Sequence, residues 1–157
     1  MGVKCSGAFP RMALRDLEGA LRPLDEAWAS GEALVLIGKR DCKTTRQTVP
    51  FGERIHRRRA PGHGVVVVLQ DDAETARALA DQLHLETPVR LDEDPYPLVA
   101  ELGLEVVPTL FLVGRDGTIV KTTEAFRRDD LEGYAARLGV QGPLFTPEDK
   151  APAMKPG

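Results

Sequence analysis

The stretch ALVLIGKRDCKTTRQTVP (33–50) passes from a run of apolar residues into a polar segment that contains one cysteine, Cys42. The run ALVLIG (33–38) is short and continuous, which is typical of a β-strand that is covered on both faces. The segment that follows predicts a helix over residues 42–59, kinked or broken at Pro50 and Gly52. The thiol is therefore expected where a buried strand gives way to a helix.

The rest of the chain alternates apolar strands with helical segments. GVVVVLQ (64–70) predicts a second buried strand, because consecutive valines favour extended structure. DDAETARALADQLH (71–84) predicts an amphipathic helix. Parallel strands joined by helices and followed by a hairpin predict an α/β protein, a three-layer α/β/α sandwich around a mixed central sheet. The further predicted elements are a hairpin or extended entry at 11–24, a strand at 88–92, a helix from Asp94 to Gly103, strands at 108–114 and 118–122, and a helix at 127–139.

Length and composition set bounds on the number of domains and on the partners. The chain has 157 residues, of which 42% are hydrophobic, and this suits one domain with a single core. We predict a flexible arm at 1–9, a folded domain at 10–140 and a disordered tail at 141–157, where prolines accompany a lack of periodicity. The net charge of −3 argues against a nucleic-acid partner.

The sequence also bears on membranes and on the compartment. No apolar stretch approaches the roughly 20 residues that a membrane-spanning helix needs, so no membrane partner is expected. The N-terminal MGVKCSGAFPRM lacks the apolar segment of a secretory signal, and two cysteines are too few for a disulfide framework. We expect a cytoplasmic protein, or an extracytoplasmic one if a leader was removed.

Histidine spacing gives no indication of a metal site. His56, His63 and His84 are widely separated and have no ligand spacing among themselves or with Cys42. No metal site is therefore predicted. No organic cofactor is predicted either.

Four features follow one another in a characteristic order. An apolar strand runs into Cys42 at a helix start, Pro50 follows eight residues later, Val-Pro-Thr at 107–109 opens a later strand, and Arg-Asp-Gly at 115–117 turns a hairpin. This order resembles the thioredoxin-like superfamily and, within it, the TlpA-like and redoxin branch of thiol–disulfide oxidoreductases. The active site of that branch reads roughly W-C-x-x-C-x-x-x-x-P, and the stretch from 88 to 120 resembles its β–α insertion and C-terminal hairpin.

The resemblance covers about residues 10–139 and implies a thioredoxin-like fold with roles for particular residues. It implies that Cys42 lies at a helix N-terminus and acts as a catalytic thiol. It implies that Pro108 is a cis-proline facing that thiol, and that the backbone beside it, at Val107 and Thr109, binds an extended peptide or thiol substrate.

The sequence also departs from the pattern of this branch. The second cysteine of the motif is Thr45, and the aromatic residue before the first cysteine is Asp41. Members often bury a carboxylate or an amide six residues before the first cysteine, where this chain has Leu36. The site is therefore of the type C-x-x-T, without a second thiol and without that aid to proton transfer.

Peroxide chemistry of the peroxiredoxin type is not predicted. The peroxiredoxin pattern P-x-x-x-T-x-x-C places a proline and a threonine before its cysteine. When the pattern is aligned on Cys42, those two places hold Val35 and Lys39.

The surroundings of Cys42 favour the thiolate, which is the nucleophilic form of a cysteine. The free N–H groups and the dipole at a helix N-terminus stabilise an anion. Thr45 lies one turn along, and we expect its hydroxyl to donate a hydrogen bond to the sulfur. Arg46 adds positive charge and is expected to bind substrate. Further cations close to the cysteine in sequence are Lys39, Arg40 and Lys43.

Two functions are consistent with these residues. In the first, the chain is a monothiol thiol–disulfide oxidoreductase in which Cys42 attacks a disulfide or an oxidised thiol. A single thiol cannot resolve its own mixed disulfide, so this enzyme needs an outside thiol such as glutathione or a protein thiol, or else Cys5. In the second, indicated by the missing second cysteine, the chain is a redox-inactive thioredoxin-like module that binds a protein.

Overall fold

Apolar strands that are covered on both faces form the centre of the sheet. In the computed structural model, which describes residues 2–157, β3 (Ala33–Gly38) pairs in parallel with β4 (Gly64–Leu69). On its other side β3 pairs antiparallel with β6 (Thr109–Val113). Every residue of β3 is buried, as expected for the central strand of a sheet with helices on both faces.

The sheet has seven strands and is mixed. Its other strands are β1 (Ala13–Arg15), β2 (Leu21–Pro23), β5 (Val89–Leu91) and β7 (Ile119–Glu124). The strand order is β2-β1-β5-β4-β3-β6-β7. β3, β4 and β5 run parallel, whereas β1 with β2, β1 with β5, and β6 with β7 pair antiparallel. The predicted mixed sheet and its C-terminal hairpin are confirmed, and of the two alternatives at 11–24 the structure shows the hairpin.

Helices cover both faces of this sheet. They are α1 (Lys43–Arg58), α2 (Ala73–Gln82), α3 (Pro97–Leu102) and α4 (Arg128–Arg137). Leu34 and Leu36 of β3 pack with α1, α2 and α4, whereas Val35 and Ile37 pack with α3 and the 3₁₀ helix Leu24–Trp28. Because successive strand residues point to opposite faces, this alternation produces the predicted α/β/α sandwich. Among the helices that the structure describes, none has both the length and the apolar character to cross a membrane.

Two helices differ in detail from their predictions. α1 runs unbroken through Pro50 and Gly52, with its apolar face packed on the sheet. α3 begins at Pro97 and not after Asp94, because the buried Asp92 accepts hydrogen bonds from the N–H groups of Leu98 and Val99, both at 3.0 Å. Burial raises the pKa of Asp92, and these two amide donors oppose that effect.

The segment 141–157 is packed against the domain, so the prediction of a disordered tail is wrong. Leu144 is fully buried. The chain then forms a 3₁₀ helix, Pro147–Asp149, and a short strand, β9 (Met154–Lys155), that pairs antiparallel with β8 (Phe126–Arg127). The folded unit therefore extends beyond the predicted boundary at residue 140.

Side chains of α1 hold this segment in place. The ring of Phe145 lies 4.4 Å from the ring of Phe51, measured between centroids. The Arg54 guanidinium donates to both carboxylate oxygens of Asp149, at 2.8 and 3.1 Å, and to the Leu144 carbonyl at 2.9 Å. The hydrogen bond from Arg54 is the main cause that lowers the pKa of Asp149 to about 2.

The predicted flexible arm contacts the domain at Lys4 and Phe9, although Gly2 and residues 5–8 are exposed. Phe9 is buried and lies edge-on to both Trp28 and Phe111, with ring centroids 5.4 and 5.3 Å apart. These aromatic contacts fill the core on the α3 side of the sheet and explain why the arm is ordered. Met1, the first residue of the predicted arm, lies outside the described residues.

We predict that Asp149→Asn lowers the free energy of unfolding at neutral pH and that the loss shrinks in acid. Since the pKa of Asp149 falls from its ordinary 3.8 to about 2 on folding, the ionised carboxylate stabilises the folded chain above its ordinary pKa. That stabilisation is lost progressively as the pH falls below about 4 and through 2, because both states bind the proton only below the folded pKa. Urea unfolding of the wild type and the variant, across this range and at neutral pH, measures the difference.

Glu148→Gln is the matched control for this prediction. Glu148 is an exposed carboxylate on the same 3₁₀ helix, so its neutralisation should change the free energy of unfolding little at any pH. A difference between Asp149→Asn and the wild type that stays constant with pH would contradict the assigned role of the ion pair.

Candidate functional site

Cys42 is the N-cap residue of α1. Its backbone is extended, with φ −81° and ψ 116°, and its Sγ accepts a hydrogen bond from the Thr45 N–H at 3.4 Å. The side chain is partly exposed and the thiol is free. The sulfur therefore lies at the end of the helix where unpaired N–H groups and the dipole stabilise negative charge.

The segment that precedes β6 lies opposite this thiol. The peptide bond between Val107 and Pro108 is cis. The Cys42 Sγ–H donates to the Val107 carbonyl at 3.4 Å, and the Pro108 carbonyl accepts a hydrogen bond from the Ala125 N–H at 2.8 Å. The sulfur thus has an N–H donor on one side, which suits a thiolate, and a carbonyl acceptor on the other, which suits a thiol.

Thr45 contacts the sulfur through its backbone and not through its hydroxyl, so the prediction of a hydroxyl–sulfur hydrogen bond is wrong. The Thr45 side chain is fully buried, and its Oγ1 accepts a hydrogen bond from the Lys39 N–H at 3.4 Å. A Cβ placed on Gly38 would lie 2.5 Å from Thr45 Cγ2. The threonine side chain is therefore turned inwards, against the last residue of β3.

Thr109 follows the cis-proline at the start of β6, and Arg46 lies in the first turn of α1. Thr109 is fully buried and donates through Oγ1 to the Val106 carbonyl at 2.8 Å, so its side chain supports the loop from within. Arg46 is exposed, and its guanidinium donates to the Arg40 carbonyl, which places it over the loop before Cys42. Their roles towards a substrate stay predictions.

The charges around the loop are mixed. Asp71 accepts a hydrogen bond from the Arg40 N–H at 2.9 Å, and the Arg40 guanidinium also pairs with Asp41 at 3.4 Å. Burial raises the pKa of Asp71, and the hydrogen bond from Arg40 opposes that effect. The predicted cations next to Cys42 are therefore partly balanced by carboxylates.

One component of the site, the pair Pro156 and Gly157, was not predicted from the sequence. Thr44, two residues after Cys42, donates through Oγ1 to the Pro156 carbonyl at 2.5 Å. A Cβ placed on Gly157 would lie 2.2 Å from the Val107 carbonyl oxygen. The segment has no periodic pattern, so no signal in the sequence pointed to this position.

The second cysteine, Cys5, is an exposed free thiol on the N-terminal arm. Its Sγ donates to the Val3 carbonyl at 3.4 Å, and the arm is tied to the end of α3 by the hydrogen bond from Lys4 N–H to the Leu102 carbonyl at 2.9 Å. A resolving role for Cys5 stays a prediction. Within residues 2–157, no group of three or more His, Cys, Asp and Glu side chains is placed to hold a metal ion.

Solved structures share the fold of this chain. The thioredoxin domain of a thiol-disulfide oxidoreductase from Bacteroides vulgatus is 18% identical, with a TM-score of 0.72 over 86% of this chain and 97% of that one. A thiol:disulfide interchange protein from Bacteroides sp. is 19% identical, with a TM-score of 0.72 over 90% of this chain and 93% of that one. Peroxidoxin BcpB from Mycobacterium tuberculosis is 15% identical, with a TM-score of 0.72 over 87% of this chain and 96% of that one.

These likenesses concern the fold. The chain has the thioredoxin-like fold that the resemblance implied, with a mixed seven-stranded sheet between helices. No protein-family model and no curated protein matches its sequence. Because proteins named as oxidoreductases and a protein named as a peroxidoxin share the architecture, the reaction has to be argued from the site.

We predict that Gly38→Ala destabilises the chain by about 1–3 kcal/mol, because the new Cβ would overlap the Thr45 side chain. Thr45→Ala should remove most of this overlap, so the double variant Gly38→Ala/Thr45→Ala should be more stable than the sum of the two single effects predicts. Urea unfolding of the four proteins in the cycle measures the coupling. Gly133→Ala is the control, since a Cβ at this α4 position has no neighbour within 4 Å. Strictly additive effects would count against the close contact.

Proposed function

We propose that this chain, which has the thioredoxin-like fold, is a thiol–disulfide oxidoreductase of the monothiol type with Cys42 as its nucleophile. The position of the sulfur carries the proposal: Cys42 Sγ lies at the start of α1, 3.4 Å from the Thr45 N and 3.4 Å from the Val107 carbonyl of the cis-Pro108 segment. A partly exposed sulfur at a helix N-terminus meets the two requirements of such a nucleophile, stabilisation of the anion and access for a substrate.

The reaction takes place in two exchanges of sulfur bonds. The Cys42 thiolate attacks one sulfur of a substrate disulfide, so a bond forms between Cys42 and that sulfur while the substrate S–S bond breaks. The other substrate sulfur leaves as a thiolate and takes up a proton. A thiol from outside, such as glutathione or a protein thiol, then attacks the substrate sulfur of the mixed disulfide as its thiolate. A new disulfide forms between those two sulfurs while the bond to Cys42 breaks, and Cys42 leaves as a thiolate. The outside thiol is needed because Thr45 stands where dithiol members have their second cysteine.

The surrounding residues have supporting roles in this proposal. The Val107 carbonyl, next to the cis-Pro108, is an acceptor for an N–H group of an extended substrate. Thr109 keeps that segment in place through its hydrogen bond to Val106. Arg46 is exposed one turn from Cys42 and would attract a carboxylate of a substrate such as glutathione disulfide. The proposed partners are therefore thiols or disulfides, and the expectation of neither a nucleic-acid nor a membrane partner stays a prediction.

A redox-inactive binding module is the second candidate. The observation that favours it is the fully buried Thr45, which stands where a dithiol member has its resolving cysteine. The site then has no second thiol, and no polar side chain takes its place at the surface. In that case the surface between the start of α1 at Cys42 and the Val107–Pro108 segment, which we call the groove, would hold a protein partner. Cys42→Ser would then leave binding unchanged.

We predict that glutathione disulfide converts Cys42 into a mixed disulfide with glutathione. Mass spectrometry of the intact chain, followed by peptide mapping, should place the adduct on the peptide that contains Cys42. Reduced glutathione should then remove the adduct at a rate that rises with its concentration, because release depends on an outside thiol.

Two serine variants complete this experiment. Cys42→Ser should abolish the mapped adduct, whereas Cys5→Ser is the matched control and should retain it. An adduct confined to Cys5, or no adduct on either thiol, would reject the oxidoreductase and leave the binding module. A disulfide between Cys5 and Cys42 in the wild type would instead assign the resolving role to Cys5.

A further inference from the structure

We propose that the C-terminal segment is an internal ligand of the groove beside Cys42, which a substrate has to displace. We call residues 144–157 the C-terminal strap. The inference rests on the proposed function for its biological meaning, since the groove is the one assigned to the substrate.

The last part of the strap runs in an extended conformation towards the thiol. Lys155 pairs with Phe126, and Met154 pairs with Arg127, in the antiparallel ladder of β8 and β9. The Ala153 carbonyl accepts a hydrogen bond from the N–H of Arg128, the first residue of α4, at 3.0 Å. The strap is therefore held by strand pairing with β8 in a separate two-stranded sheet, and backbone pairing of this kind is a recurring way for a protein to hold an extended peptide.

The strap reaches the site at the Val107 carbonyl, which is also the acceptor of the thiol. Thr44 holds the Pro156 carbonyl at 2.5 Å, and Gly157 packs against the carbonyl oxygen of Val107. The same oxygen accepts the hydrogen bond from Cys42 Sγ at 3.4 Å. Strap and thiol thus converge on one acceptor, and a substrate that donates to Val107 competes with the strap for that place.

The close approach requires a glycine at position 157. A Cβ there would lie 2.2 Å from the Val107 oxygen and 3.0 Å from the Val107 carbonyl carbon, which are backbone atoms. The next residue, Pro108, is buried, and its carbonyl is bonded to the Ala125 N–H at 2.8 Å. Since the loop is held on both sides, a larger residue at 157 would move the strap and not the loop.

The strap is held firmly at its base and weakly at its end. At the base, Leu144 is fully buried and Asp149 is paired with Arg54. At the end, Met154 is 48% exposed and both Pro156 and Gly157 are exposed. A segment with few buried contacts opens at low free energy, so the end can leave the groove while the base stays attached.

If the strap occupies the groove, it should limit access of a reagent to the partly exposed Cys42, and alkylation by iodoacetamide tests this in the full chain. Peptide mapping reports Cys42 and the exposed Cys5 in the same sample, so Cys5 serves as an internal reference. Gly157→Ala should displace the end of the strap and so break the hydrogen bond between Thr44 and the Pro156 carbonyl. The alkylation rate at Cys42 relative to Cys5 should then rise by about threefold or more, the size expected from the loss of one hydrogen bond. Gly133→Ala is the matched control and should leave the ratio unchanged, since its new Cβ meets open space.

A second variant acts at the base of the strap, away from the thiol. Asp149→Asn weakens the attachment to Arg54 and should also raise the ratio, whereas Glu148→Gln should not. Circular dichroism on each variant checks that the domain is folded. Equal ratios in Gly157→Ala, Asp149→Asn and the wild type would overturn the proposal.

The two proposals fail in different ways. Alkylation depends on access to the thiol and not on disulfide exchange. A raised ratio in the strap variants, together with no reaction between Cys42 and glutathione disulfide, would leave the strap and reject the oxidoreductase. A mixed disulfide on Cys42 with an unchanged alkylation ratio would support the oxidoreductase and reject the strap.

Discussion

The burial of β3 on both faces is the constraint on which the rest of the structure depends. All of its residues are covered, and it is hydrogen-bonded to β4 on one side and β6 on the other. A strand held in this way has a fixed end, so the turn after Gly38 delivers Cys42 to one place at the start of α1. The inward Thr45 side chain, packed against Gly38, joins the first helical turn to the strand.

The opposite side of the site comes from a part of the chain that is 65 residues away. The antiparallel register pairs Ile37 with Thr109, so the segment before β6 must lie beside the loop that follows β3. Strand pairing at the centre of the sheet therefore places the Val107 carbonyl opposite the sulfur. Asp92 helps to position this segment indirectly. Its buried carboxylate accepts hydrogen bonds at the start of α3, the helix that precedes the segment.

The chemistry that we propose follows from the groups that surround the thiol in this fold. One sulfur has a backbone donor and a backbone acceptor, and the residue that would release a mixed disulfide is a buried threonine. Such a site depends on a second molecule to complete its reaction. The strap adds a further condition, because in our proposal a substrate has to displace the segment that Thr44 holds beside the thiol. The need for a second thiol and the presence of the strap would both favour partners with specific affinity for the site over small thiols that collide with it at random.

The sequence by itself determined the sandwich, its mixed sheet and the helix start at Cys42. The apolar run at 33–38, the valines at 65–68 and the alternation of strands with helices are periodic signals that report burial locally. Only the tertiary structure decided that the Thr45 hydroxyl turns away from the sulfur, since that depends on the space beside Gly38. It also decided that residues 144–157 are ordered, because their order comes from single contacts with Phe51 and Arg54, which lie far away in the sequence and leave no periodic pattern.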